Sequence, residues 1–365
     1  MAENMKKAGI YFHWPYCKSK CPYCDFYKEI AKNIPQEEAI DSYIADLDFY
    51  YSFIGDEKIV SVFFGGGSPS LIKPELVEKL LNRITKKFSI AENPEISLEA
   101  NPNTDRPNLF ADLKNAGINR LSLGVQALNE NDLKFLGRTH TLQEARESLQ
   151  EIIKIFDNHS ADLIYARPQQ TKSEWQQELA EICGYGLKHL SLYQLTIEEN
   201  TVFARKNIEA LNDEAAADLY TYTREYLAGK GYNLYEVSNF AQTGYESRHN
   251  LTYWQGGDYI GIGKSAQGRL TENGTFFAVD YPFINEAIST AERAEELIIT
   301  GLRLTKGINK KTFQTIIGSP LGDYINILHL KELKKMGLLT ENPEYLSATP
   351  QGLLVLNTII AQLCL

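Results

Sequence analysis

Three of the five cysteines, Cys17, Cys21 and Cys24, fall in the stretch HWPYCKSKCPYCDFY at a C-x3-C-x2-C spacing. A structural zinc site wants four Cys or His ligands, usually as two separated pairs. No second pair accompanies this trio. Three thiolates fit better on a cubane [4Fe-4S] cluster, one on each of three irons, leaving a fourth iron without a protein ligand. Such an iron can chelate a small molecule through an amine and a carboxylate, and a reduced cluster held against a sulfonium can pass it an electron. S-adenosylmethionine (SAM) has all three groups. An odd number of cysteines with three packed together is not a disulfide framework, and the cytoplasm is the expected location. Cys183 and Cys364 lie in apolar contexts and read as core residues.

These thiols need a scaffold, and the first two thirds of the chain predicts one. Runs at 8–14 (AGIYFHW), 58–64 (KIVSVFF), 95–100 (EISLEA), 120–126 (RLSLGVQ), 161–166 (ADLIYA) and 189–195 (HLSLYQL) have the length and content of strands. Between them, stretches such as 74–88 and 107–117 carry apolar residues at helical spacing, ended by Pro or Gly. Six strands each followed by a helix imply a parallel sheet, two units short of an eightfold barrel, so an open partial barrel is expected. The cysteine loop, GGGSP (65–69), NPN (101–103) and Gln126 all follow strands, which places them on the face where barrel enzymes build their sites.

A second region begins near residue 235, with an aromatic-rich segment at 235–263 and a helix around 291–303. The remainder reads as helix, hairpin and helix, a winged-helix-like pattern. With 37 Lys and Arg against 47 Asp and Glu, the net charge of −10 argues against a protein that depends on nucleic acid. No apolar stretch has the length of a signal peptide, and the run at 353–365 is too short for a bilayer.

The motifs together resemble the radical SAM superfamily, in the branch of oxygen-independent coproporphyrinogen III dehydrogenase (HemN). YFHWPYC (11–17) and CPYCDF (21–26) are followed in that branch's order by GGGSPSL (65–71), LEANPNT (98–104), GINRLSLGVQ (117–126), LGRTH (136–140), DLIYARPQQT (162–171), LYQLTIEENT (192–201) and HNLTYWQGGDYIGIG (249–263). The dehydrogenase usually has a further cysteine two positions after the third, where this chain has Phe26. Phe26 therefore points to the HemW subfamily of heme chaperones. HNLTYW (249–254) is similar to that subfamily's H-N-x-x-Y-W heme-binding motif, which makes His249 the candidate axial ligand.

The resemblance implies a radical SAM partial (β/α)6 barrel over residues 1–235. It implies a HemN-type C-terminal α+β domain over 236–365, ending in a winged-helix-like module. It places Tyr11, Tyr23, Gly66, Gly67, Ser68, Glu99, Gln126, Arg138, Asp162 and Thr196 around SAM. The sequence departs from the family pattern at Ala166, Arg167 and Gln169, where relatives commonly read Gly, Leu and Gly. It departs again at Lys264 and Gln267, where a small residue and a histidine are usual.

Two functions follow from the resemblance. The first is a chaperone that binds heme and passes it to an acceptor protein, a membrane-bound respiratory one included, with at most peripheral membrane association. The second is the dehydrogenase itself, decarboxylating propionate side chains after hydrogen abstraction by a SAM-derived radical. A DNA-binding regulator that senses iron or heme is a third reading, disfavoured by charge.

Overall fold

The computed structural model describes residues 6–54, 57–102, 106–281 and 284–364. Asn103 and Thr104 of the LEANPNT stretch lie outside them. The six expected strands are present as β1 (Lys7–Trp14), β2 (Lys58–Gly66), β3 (Ser89–Ala100), β4 (Arg120–Gln126), β5 (Asn158–Tyr165) and β6 (His189–Gln194). They pair in parallel in that order and form the partial barrel. Helices cover the outer face of such strands and the barrel interior covers the inner one, so they read as near-continuous apolar runs; β4, RLSLGVQ, is buried at every position but the last.

The helices carry their own signals. Pro74–Lys87 starts on a proline, has Glu75 in its first turn and Lys86 and Lys87 in its last, and buries Leu76, Val77, Leu80, Leu81 and Ile84. Leu142–Ile155 and Lys172–Gly184 each begin with a capping box, Thr141 with Glu144 and Thr171 with Glu174. Cys183 and Cys364 pack against the core.

The chain after residue 230 extends the sheet at both edges. Strands β7 (Asn233–Glu236) and β8 (Asn239–Ala241) add antiparallel beside β6. On the other side β9 (Asp258–Ile262) pairs in parallel with β1, followed by β10 (Gln267–Glu272), β11 (Thr275–Asp280) and β12 (Ile284–Ile288). Among the described residues the sheet has twelve strands, in the order β12-β11-β10-β9-β1-β2-β3-β4-β5-β6-β8-β7. The tail follows the expected order: helix Ile327–Lys335, a hairpin of Leu339–Glu341 and Tyr345–Ala348, and helix Leu356–Leu363. Among the described residues no helix is long and apolar enough to cross a membrane.

The loop after β5 takes left-handed turns without glycine. Ala166 and Gln169 hold φ of 55° and 62°, the left-handed region. Between them Arg167, only 1% exposed, pairs with Glu178 and with Asp132 at 2.9 Å, and donates to the Ile164 carbonyl at 2.7 Å. A buried cation thus takes the place of an apolar side chain because Glu178 is buried opposite it. A left-handed alanine is strained by its Cβ, so Ala166→Gly is expected to raise stability by about 1 kcal/mol. Urea denaturation with unchanged slope checks it.

Candidate functional site

At the C-terminal ends of the barrel strands lies a cavity of about 500 Å³. The backbone there is laced tightly. Tyr16–Cys17 pairs with Glu29–Ile30, which closes the cysteine loop. The loop after β2 bonds onto its start, Gly67 N–H to the Trp14 carbonyl at 2.6 Å and Ser68 N–H to the Tyr16 carbonyl at 2.9 Å. A Cβ on Gly67 would stand 2.8 Å from both the Trp14 and Tyr16 carbonyl oxygens and 3.0 Å from Cys17 Sγ. Only glycine allows that approach. Lys264, one of the departures from the family pattern, pairs with Glu29 at 2.7 Å and ties the far side of the loop.

Cys17, Cys21 and Cys24 line one cavity. Ser68 Oγ donates to Cys17 Sγ at 3.6 Å and accepts from Asn101 Nδ2 at 3.1 Å. Arg138 donates to Cys21 Sγ at 3.6 Å, to Tyr23 Oη at 3.5 Å, to the Gly124 carbonyl at 3.1 Å and to Asn101 Oδ1. Asn101 therefore joins the two donors that reach sulfur. The sequence reading named its strand end but not this residue as part of the site; its place in NPN directly after β3 was the signal. Burial raises the Cys17 thiol pKa, helped by the nearby Cys24 and Cys21 against the lowering effect of Ser68. Among the described residues no three His, Cys, Asp or Glu side chains converge as ligands of a single ion.

Tyr23, Gly66, Gly67, Ser68, Glu99, Gln126, Arg138, Asp162 and Thr196 also line the cavity. Tyr11 does not. It lies deeper in the barrel, its hydroxyl 3.0 Å from His13 Nδ1 and its ring beside Phe63. Tyr193, which sequence reasoning missed, exposes 44% of its surface at the cavity wall.

Two acids form the floor. Burial, then the neighbouring Asp162, pushes the Glu99 pKa up to about 8. Asp162 is raised by burial too, while Ser191 and Ser122 partly offset it; the Ser122 hydroxyl donates to it at 2.9 Å. Between pH 4.5 and about 8 the unfolded chain gives up a proton that folded Glu99 keeps, so stability falls as pH rises. Glu99→Gln cannot ionise. It is expected to flatten that fall and add on the order of a few kcal/mol at pH 9. Urea denaturation of cluster-free protein at pH 6 and pH 9 measures it.

His249 lies elsewhere. It belongs to the helix Arg248–Trp254, and its partners sit along the middle of the strands, below the loops at their ends. Its Nδ1 is 3.0 Å from Ser61 Oγ, and its ring stacks on Phe63 with centroids 5.0 Å apart. Glu95 accepts from the Ser247 hydroxyl and from the N–H groups of Arg248 and His249, at 3.3, 2.9 and 3.1 Å, which seats the helix start. Phe63 and Tyr11, the rings His249 stacks on, also pack against Gly65 beside Glu99. The candidate heme ligand thus lies beneath the acidic floor of the cysteine cavity and outside its lining.

Residues 11–182 match the radical SAM superfamily and residues 288–355 the HemN C-terminal domain. "Heme chaperone HemW" of Buchnera aphidicola subsp. Schizaphis graminum is 35% identical, covering 96% of this chain and 97% of that protein. The chain belongs to the HemW family. The protein of the same name from Escherichia coli is 32% identical, with 96% and 97% covered. "Radical S-adenosyl methionine domain-containing protein 1, mitochondrial" of Bos taurus is 33% identical, with 99% and 88% covered. Among solved structures, coproporphyrinogen III oxidase (HemN) from Escherichia coli superposes with a TM-score of 0.81 at 19% identity, over 98% of this chain and 90% of that one. The HemN likeness establishes the fold. Membership of the radical SAM superfamily and the HemW family implies a [4Fe-4S] cluster and SAM.

Proposed function

We propose that this HemW-family chain is a cytoplasmic heme chaperone. It holds a [4Fe-4S] cluster on Cys17, Cys21 and Cys24, holds SAM in the same cavity, binds heme through His249, and passes heme to an acceptor protein, respiratory acceptors included. Residues 1–235 serve as the radical SAM core and 236–365 as the HemN-type unit, whose strand β9 is built into the core's sheet. The observation that carries this reading is the cavity of three thiols, a glycine cradle and an acidic floor, in a chain whose relatives bear the heme-chaperone name over nearly its full length.

The site fits the cofactors. Three thiols lining one cavity suit a cluster, where each binds a different iron. Gly67 leaves the space a backbone approach needs, and Glu99 and Asp162 become favourable partners for a cationic ligand once it enters. Arg138 and Ser68 hold the sulfurs of Cys21 and Cys17 by hydrogen bonds, which raises the potential of a cluster bound there. When bound, the reduced cluster supplies an electron to the sulfonium.

The alternative is an oxygen-independent coproporphyrinogen III dehydrogenase. The HemN fold permits it, and Phe26, 65% exposed on the cavity lining where that enzyme usually has a cysteine, speaks against it. Anaerobically reconstituted protein is expected to take up heme with a defined Soret band. It is expected to leave coproporphyrinogen III unchanged in the presence of SAM and reductant. Turnover without heme uptake would reverse the assignment.

A further inference from the structure

A second cavity, of about 710 Å³, lies against the outer side of the helix that carries His249. Its volume is in the range of small-molecule and cofactor pockets. One wall is Leu251 and Trp254; the facing wall is Leu297 of the helix Thr290–Gly301 with Phe313 and Ile316 of the helix Lys310–Ile317. The HNLTYW stretch therefore serves two spaces. His249 and Tyr253, one helical turn apart, pack inward, with ring centroids 6.1 Å apart. Leu251 and Trp254 face the cleft.

The cleft is not a purely apolar groove. Trp254 Nε1 is buried with no hydrogen-bond acceptor among the described residues, and so is the Nε of Arg303, whose guanidinium stacks over the Trp254 ring at 4.6 Å. Unsatisfied buried donors call for an acceptor. Lys306 and Thr312, both exposed, line its rim. Arg303 lies outside the lining and pairs with Glu236 at 3.3 Å, and Glu246 adds a carboxylate to the cleft, so the donors offered to an acceptor are Lys306 and the Trp254 N–H. Aromatic and aliphatic walls with these donors suit a flat apolar ring that bears carboxylates.

We propose, on the strength of the heme-binding reading above, that heme docks in this cleft, with its macrocycle against Trp254 and Leu251 and its propionates directed to Lys306. Heme is then held in a cavity that shares no lining residue with the cysteine cavity. The facing wall comes from two helices that follow the sheet, Thr290–Gly301 and Lys310–Ile317. His249 reaches iron in the cleft only when its helix turns away from Ser61 and Glu95.

The test is heme titration at the Soret band with full-length reconstituted protein, wild type against Thr312→Trp, with Thr312→Ser as the matched control. Thr312 is exposed, so the tryptophan narrows the cleft while thermal unfolding stays unchanged. Heme affinity is expected to fall at least about tenfold by steric exclusion, while residual bound heme keeps the wild-type Soret position and SAM binding is retained. Lys306→Glu is expected to weaken binding severalfold, more at low salt. If wild type binds heme and both variants bind it equally well, heme sits elsewhere and only the cleft assignment falls. If wild type takes up no heme, the heme reading falls and the cleft assignment with it.

Discussion

Single replacement of Cys17, Cys21 or Cys24 by alanine is expected to lower iron after anaerobic reconstitution from about four to below about one per chain, because each thiolate holds one corner of the cluster. Ser68 and Arg138 are hydrogen-bond donors aimed at Cys17 and Cys21 sulfur, and among the described residues no fourth cysteine lines the cavity. Cys17 is buried, and its thiol is held protonated by burial, so loading at that position releases a proton and strengthens as pH rises. Cys183→Ala, a change at a core-packing thiol outside the site, should keep full iron content. Iron and sulfide analysis with EPR before and after SAM decides the matter. A SAM-insensitive cluster in wild type, or zinc in place of iron, would remove the open-corner assignment. Losing Asn101 should do less: Asn101→Ala frees Ser68 and Arg138 from each other, and an outer partner of this kind typically costs 10–100-fold in metal affinity, about 1.4–2.8 kcal/mol.

The strands and their order were legible because parallel strands buried on both faces have a local signature. RLSLGVQ or HLSLYQL can hardly be anything else at that length. The placement of loop residues such as Gly67 and Gln126 at one end followed from topology alone. Other features rest on pairings that no local pattern encodes. DYIGI reads as one more strand of the second region, yet its register, Ala8 opposite Asp258 through Phe12 opposite Ile262, inserts it beside β1 and makes the two regions share a sheet. That insertion fixes where the HNLTYW helix falls. Sequence order gives no hint that His249 would meet Ser61 within β2 rather than the cysteines beyond its end. Tyr11 illustrates the same limit: period-2 alternation along β1 sets its face, but its depth in the barrel depends on how far the loops rise above it.

Heme bound to His249→Phe protein is expected to lose the Soret position of the wild type and more than about 100-fold in affinity, since an iron ligand should outweigh the 10–100-fold of an outer partner. Phenylalanine is the informative choice. Alanine would empty a site in which the imidazole stacks on Phe63 at 5.0 Å and on Tyr11 at 6.2 Å, and such cavities cost roughly 2–5 kcal/mol, so lost binding could reflect a displaced helix. A phenyl ring restores the stack but leaves the Ser61 hydroxyl unpartnered at a cost of about 1–3 kcal/mol, which Ser61→Ala in the same chain relieves. Titration gives an independent view of the same residue. Burial lowers the His249 pKa to about 3, so below pH 6.5 the unfolded chain takes up a proton that the folded one refuses, and stability declines as pH falls toward 3. The phenylalanine variant should lose that part of the acid sensitivity whether or not heme is present. If it does so while the Soret position and heme affinity stay those of the wild type, His249 is a core residue that seats the motif helix, and the iron takes its ligand from another group.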